Sequence, residues 1–537
     1  MVTFPMLTVA STNKVFLTRK CVVCSLVSSR SRTSAFLGKK QKNRSKVVYQ
    51  YNNLPDPNDP NFEEGEFLPR KLTYMPPGLK FGLPKKRSRT IKEWLTLKPE
   101  IDDTEEWTET PCYPPLFDDS QADSEMKRKR LSWYETIKQL PTFESKFFEI
   151  TNKVPHQSIM LKSWALNYDY LDMYQDLTRT HLIRGQLPQS YDTLNVDKYV
   201  ELLKSPILNA VRYHLFDANR KFHKEKRGVY FSSEKEIIMH NNSINNLLQE
   251  INIICQKVLG DENKHLLNAQ VDYTSDVRSW WWKNLPPPTL RNYFKLDPLP
   301  NVNQAMQFQG EAAVQLRSDQ PLLPIVSFDD PLCQAAEVPV YPKNPKKSGW
   351  PMRRQYLQTT PGFWDLGDYK YDFPLMAYLS RTPIKLREFM VGRSYPDEAD
   401  FIDAMAIMHG FGWLNGISGM HGFTPYEEIT YPFTTHLVIS DGQFWSFFVY
   451  QLNTHSFHSD VDKNDRRNLC WSSGEMKLFE SFENDEFVGV NDDAIKYLVK
   501  LLLSSPQPCE NTVLRPYLSQ DTRKEEDVLM VRNYLRR

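Results

Sequence analysis

His455, His458, Asp460 and Asp462 fall within the eight residues "HSFHSDVD", the cluster in this chain that gathers metal-ligand residue types most closely. A zinc site needs three or four ligands converging from elements that fix them. A polar loop after a strand does not supply that. His409 and His421 flank the glycine series Gly410, Gly412, Gly416, Gly419 and Gly422 and could face a cleft as acid or base. A lone histidine on an apolar helix is more often a hydrogen-bonded core residue. The glycines follow a helical stretch with G-x-G-x-x-x-G spacing, whereas a dinucleotide loop needs a preceding strand, G-x-G-x-x-G and a following helix. Close packing of small residues between elements is the better reading. Glu427 and Glu428 are adjacent, so they point to different sides and make a poor acid/base couple. The chain has neither a G-x-x-x-x-G-K-[ST] phosphate loop nor a G-x-S-x-G nucleophile elbow.

Two basic stretches could bind phosphate. In "GLKFGLPKKRSRTIKEW", Lys80, Lys85, Lys86, Arg87, Arg89 and Lys92 surround Phe81 and Trp94, a mix that suits phosphate contact with base or sugar stacking. Lys127, Arg128 and Arg130 follow in "DSEMKRKRLSWYETIKQL". These nine residues are the RNA-contact candidates; a solvated charge run after a linker would read the same way.

The overall charge of +1 conceals an asymmetry. Residues 1–46 hold ten Lys and Arg, twelve Ser and Thr and no acid, the character of a mitochondrial transit peptide. Without them 57 bases face 66 acids, a formal charge of −9, so any nucleic-acid contact must come from local patches. Cys21 and Cys24 form a C-x-x-C within that presequence and read as apolar filler. The other five cysteines are scattered, as free thiols in a reducing compartment would be. No run of about 18 apolar residues suggests a membrane span.

The elements that must position these groups follow from periodicity. Residues 47–120 are proline-rich and aperiodic, an extended arm. Residues 121–267 read as a helical domain of four or five helices, among them "SIMLKSWALNYDYLDMYQDLTRTHL" and a stripe of Ile237, Ile244, Leu247, Leu248, Ile251, Ile254 and Val258. From 268 to 510 the grammar becomes mixed α/β: a β-like "AQVDYTSDVRSWWWKN", an arm leading to short strands, a helical window before residue 423, a hairpin and a further helix. Residues 511–537 read as a charged helix. The fold class is therefore α+β: a helical N-terminal domain, a mixed α/β domain and extended arms.

The hairpin "ISDGQFWSFFVYQLNT" turns at Asp441-Gly442. A two-residue type I′ loop pairs Ser440 with Gln443 and Ile439 with Phe444. One face then carries Thr435, Leu437, Ile439, Phe444, Ser446, Phe448 and Tyr450, the other His436, Val438, Trp445, Phe447 and Val449. Both faces are largely apolar, which marks an inner strand pair rather than the rim of a cleft.

That hairpin, with "DRRNLCW" and "LFESFENDEFVGVNDDAIKYLVKLLLSSP", resembles the animal mitochondrial ribosomal protein family first numbered thirty in the small subunit and later sixty-five in the large subunit, also called programmed cell death protein nine. The sister family, large-subunit protein thirty-seven, shares the Asp-Gly turn, the Phe-rich strand and the Gln-Leu-Asn-Thr ending. The resemblance spans roughly residues 112–508. It implies a structural subunit of the mitochondrial large ribosomal subunit in the matrix, without enzymatic activity or cofactor. It also implies contact with mitochondrial rRNA and neighbouring proteins, and a heterodimer with protein thirty-seven. Two alternatives stay open from the residues: a hydrolase-like matrix enzyme using His409, His421, His455 and His458, and an RNA-binding module acting away from the ribosome.

Overall fold

The computed structural model describes residues 119–152, 155–168, 170–217, 234–286, 301–363, 371–460, 464–509 and 512–518. The transit peptide expected over 1–46, the arm and its candidates Lys80, Lys85, Lys86, Arg87, Arg89 and Lys92, and the terminal helix beyond 518 lie outside them. The principal elements are α1 (Asp119–Gln139), β1 (His156–Lys162), α2 (Leu171–Thr178), β2 (Thr180–Arg184), α3 (Asp197–Val211), α4 (Glu234–Leu259), β3 (Gln270–Leu285) and β4 (Val302–Ser318). They continue with β5 (Met352–Gln355), β6 (Thr360–Pro361), β7 (Phe373–Ser380), α5 (Pro383–Val391), α6 (Glu398–Met420), β8 (Phe433–Ser440) and β9 (Phe444–Leu452). The last are β10 (Asn468–Lys477), β11 (Ser481–Glu483), β12 (Glu486–Val488) and α7 (Asp493–Leu503).

Ten strands form one mixed sheet: eight follow the order β2-β10-β9-β8-β7-β4-β1-β5, and off this path β3 pairs with β4 and with β6. β4 organises it. One of its edges pairs with β3 from Val302 to Arg317; the other is shared between β1, parallel at Ala305–Gln309, and β7, antiparallel at Val314–Ser318. Helices cover both faces. α2 and α6 pack with Phe308, Leu437 and Tyr450 on one side. α3, α4 and α7 pack with Val314, Val438, Phe447 and Val449 on the other. A sheet covered on both faces needs strands apolar on both faces, and the hairpin meets that condition.

α6 is buried along almost its whole length. Its glycines make this possible, because a Cβ on Gly412 would sit 2.2 Å from Phe308 Cδ1 and one on Gly410 2.8 Å from Tyr450 Cγ. The glycine run is therefore a packing surface against β4 and β9.

Within 121–267, expected to be a helical domain, the helical reading of one segment is corrected. "SIMLKSWALNYDYLDMYQDLTRTHL" forms strand, helix and strand: β1 and β2 are both members of the large sheet, and Arg179, in the left-handed region at φ 47°, ends α2 directly before β2. The described residues from 122 on form a single compact unit. Of the short strands expected after the arm "LPPPTLRNYFKLDPLPNVN", β5 and β6 are short, with four and two residues, but β4 runs for 17. α4 appears as its stripe predicts, with Ile237, Ile244, Leu247, Leu248 and Ile251 buried.

The hairpin turn is corrected as well. Ser440 pairs with Trp445 and Ile439 with Ser446, so the register differs from the expected one by two residues, and three residues, Asp441 to Gln443, separate β8 from β9. Asp441 is not in the left-handed region that type I′ requires; only Gly442 is, at φ 97°. The Asp441 carboxylate instead accepts the backbone N–H of Gln443 at 3.1 Å and of Phe444 at 2.8 Å, an Asx-type turn. A register shift of two residues leaves each side chain on its expected face, so Leu437, Ile439, Phe448 and Tyr450 share one core cluster as predicted.

Candidate functional site

β9 ends in Gln451 and Leu452, and the chain continues from Asn453 through His458; all eight are at most 5% exposed. Buried amides must be hydrogen-bonded, and here they knit the fold. Gln451 Oε1 accepts the Ile325 N–H at 2.8 Å, and its Nε2 donates to the Val326 carbonyl at 2.8 Å. Asn453 Nδ2 donates to the Arg467 carbonyl at 2.7 Å. Asn468 uses its whole amide. Its Oδ1 accepts the backbone N–H of Asn453 and Thr454, and its Nδ2 donates to the carbonyls of Thr178 and Thr454, all at 2.7–3.0 Å. The end of β9, the start of β10 and the end of α2 are thus fastened by one side chain.

The histidines are inside this structure. His455 contacts Asn415 Oδ1 through Nδ1 at 2.9 Å and the Glu427 carbonyl through Nε2 at 3.1 Å. Burial pulls its pKa down to about 4. His458 packs its ring beside Tyr134 and Tyr426, and burial lowers it also to about 4. His409 and His421 are fully enclosed and lowered to about 3 by burial. A general base needs a pKa near the working pH and access to substrate; these four have neither. "HSFH" is not a ligand set either: His455 and His458 point to different partners, and Asp460 is taken by Arg130. Asp462 lies outside the described residues.

Sequence reading missed one catalytic-looking contact. Ser418 Oγ lies 3.2 Å from His455 Nδ1, with Asn415 on the same nitrogen. Ser418, His455 and Asn415 are 0%, 1% and 4% exposed. The adjoining cavity, lined by Phe143, Lys146, Trp280, Asn415 and Phe423, measures ≈ 20 Å³, room for about one water. Beside it lies a buried ion pair, Lys146 Nζ to Glu427 Oε1 at 3.4 Å. Burial lowers the Lys146 pKa and raises that of Glu427, in each case outweighing the partner's charge.

Of the basic candidates on α1, Arg128 is exposed and Lys127 half-buried. Arg130 turns inward to Asp460 and is 43% exposed. Its neighbour Tyr134 donates to Asp460 at 3.1 Å and stacks on Tyr426 at 4.1 Å. α1 is therefore docked through its Arg130–Tyr134–Ile137 side, while Leu131 is exposed. The four described cysteines are unpaired thiols. Among the described residues no helix is long and apolar enough to cross a membrane.

Buried polar side chains tie the elements of this interior together, and the comparisons say which family the chain falls in. The chain belongs to the family of mitochondrial ribosomal proteins described as mitochondrial 28S ribosomal protein S30 (PDCD9), which matches residues 82–506. It is also similar to large ribosomal subunit protein mL37 of Gallus gallus, 26% identical over 195 residues, which is 36% of this chain and 42% of that protein. The chain thus spans less than half the length of that relative. The family that the hairpin motifs indicate is the one matched, and the mitochondrial and ribosomal expectations stand with it.

Proposed function

We propose that the chain is a non-catalytic structural component of the mitochondrial large ribosomal subunit, residing in the matrix and contacting rRNA and neighbouring ribosomal proteins. The observation that carries this is the family match over residues 82–506, joined by likeness to a protein named for the large subunit. Heterodimer formation with a protein of the mL37 kind belongs to the same reading, as the family resemblance implies. Lys80, Lys85, Lys86, Arg87, Arg89, Lys92, Lys127 and Arg128 remain RNA-contact proposals; Arg130 contributes mainly to docking α1. Burial of all four candidate histidines speaks against a hydrolase.

Gradient fractionation of gently lysed mitochondria tests the reading. The chain is expected to sediment with the large subunit, and its depletion to stop mitochondrial protein synthesis. Recovery as a free soluble monomer, with translation intact after depletion, would overturn it.

A further inference from the structure

Residues 338–363 contain five bases and no acid, in a chain with nearly equal numbers of both. The five, Lys343, Lys346, Lys347, Arg353 and Arg354, are all exposed, and among the described residues none is ion-paired. Buried residues anchor their backbone on either side. Asn344 is buried, accepts the Lys346 N–H at 3.0 Å and donates to the Pro286 carbonyl at 2.6 Å. Trp350 is buried against Tyr174. Between these anchors a short 3₁₀ turn, Pro345–Ser348, presents Lys346 and Lys347. β5 then presents Arg353 and Arg354 as the last strand of the sheet.

A solvated charge run has no reason to be pinned in this way. Charge does protect an open sheet edge from pairing with other chains, but two arginines on β5 suffice for that, and the lysines on the preceding turn guard no edge. Lys162, at the end of β1, is pulled down to about 8, first by burial and then by the nearby Arg353 cation. An arriving anion would relieve that repulsion. Tyr356, two residues beyond Arg354, is 50% exposed, an aromatic face beside guanidinium groups of the kind on which bases or riboses stack.

We propose that the turn at 343–347 and strand β5 form an RNA-binding edge that grips the sugar-phosphate backbone, with Tyr356 as a stacking platform. This rests on the ribosomal reading and adds a specific surface to it. An acidic protein is the competing occupant; the exposed tyrosine and the guanidinium forks, which match phosphate geometry, favour RNA.

The test uses the full chain with a fluorescein-labelled 20-base-pair RNA duplex and a 20-nucleotide oligo(U), titrated from low to physiological salt. K346Q/K347Q/R353Q/R354Q is expected to weaken binding at least tenfold and to make the plot of log K against log salt shallower by about 3, since each lost phosphate contact removes roughly 0.7–0.9. K346Q/K347Q leaves β5 untouched and is expected to give about half that change. Unchanged affinity and slope in variants that melt like the parent would overturn the proposal. So would competition by poly-glutamate as effective as by RNA at equal charge, which would assign the edge to an acidic protein. If the parent sediments with the large subunit while these variants bind RNA normally, the edge assignment fails and the ribosomal reading survives. If the parent does not sediment there, the reading itself fails.

Discussion

Arg130 and Asp460, 330 positions apart, meet in a two-toothed ion pair with Nε–Oδ2 at 2.7 Å and Nη2–Oδ1 at 2.8 Å. It fastens α1, the first helix of the compact unit, to the loop that follows the buried end of β9. The Asp460 side chain is 2% exposed, so the pair is shielded on the acid's side.

Replacing Asp460 by Ala leaves Arg130 and Tyr134 without their shared acceptor. A loss of about 1.5–3 kcal/mol is expected, as for hydrogen bonds to charged groups, read by chemical denaturation together with faster proteolysis within 119–139. The Arg130 hydrogen bond holds the Asp460 pKa below its usual value. The stabilisation is thus present above the unfolded carboxylate pKa of about 3.9 and is lost as pH falls through the depressed folded value. In D460N that acid-range dependence should be weaker.

The Lys146–Glu427 pair predicts an asymmetry. Lys146→Met alone strands a buried carboxylate and should cost about 3–5 kcal/mol, whereas Lys146→Met combined with Glu427→Met removes both charges and should cost far less or nothing. A double-mutant cycle by thermal melting decides it. Equal losses for the single and double variants would mean that the pair's attraction exceeds its desolvation.

His409, His421 and His436 are lowered to about 3 and His455 and His458 to about 4, all chiefly by burial. Unfolding therefore takes up protons between these values and the ordinary histidine pKa of about 6.5. Stability is full above that range and falls as pH drops from about 6.5 towards 4. Calorimetry across this range should show the melting temperature decreasing steeply. His409, neither of whose ring nitrogens has a hydrogen-bond partner, can be replaced by Leu with little loss at pH 7, and the variant should take up fewer protons.

Gly412→Ala tests the packing of α6. Alanine favours a helix over glycine by about 1 kcal/mol, yet its Cβ would meet the Phe308 ring, and overpacking costs about 1–3 kcal/mol. A lower melting temperature is expected, and Phe308→Leu in the same chain should restore part of it.

Several features were legible because they are local. The 3.6-residue stripe of α4, the extended "AQVDYTSDVRSWWWKN" of β3 and the two greasy faces of the hairpin follow from side-chain direction alone, and a register shift of two residues cannot change a face. β1 and β2 were not legible as strands. A short apolar run such as "SIMLK" fits a buried helix as well as a strand, and the choice was made by partners far along the chain, β4 and β5 for one and β10 for the other.

The polar residues divide in the same way. Sequence determined that this chain has a basic amino end, an acidic remainder, no phosphate loop and a hairpin built for a two-sided core. Only the tertiary structure decided what its histidines, amides and bases do, because each of those roles depends on a partner distant in sequence. Asn468 closes the β9–β10–α2 junction, His455 is walled in by Asn415 and Glu427, and Arg130 finds Asp460. Lys346 and Arg353, unremarkable in sequence, are held outward on a fixed edge because Asn344 and Trp350 are buried beneath them. A side chain's type limits its chemistry, but its burial and its neighbours select which part of that chemistry is used.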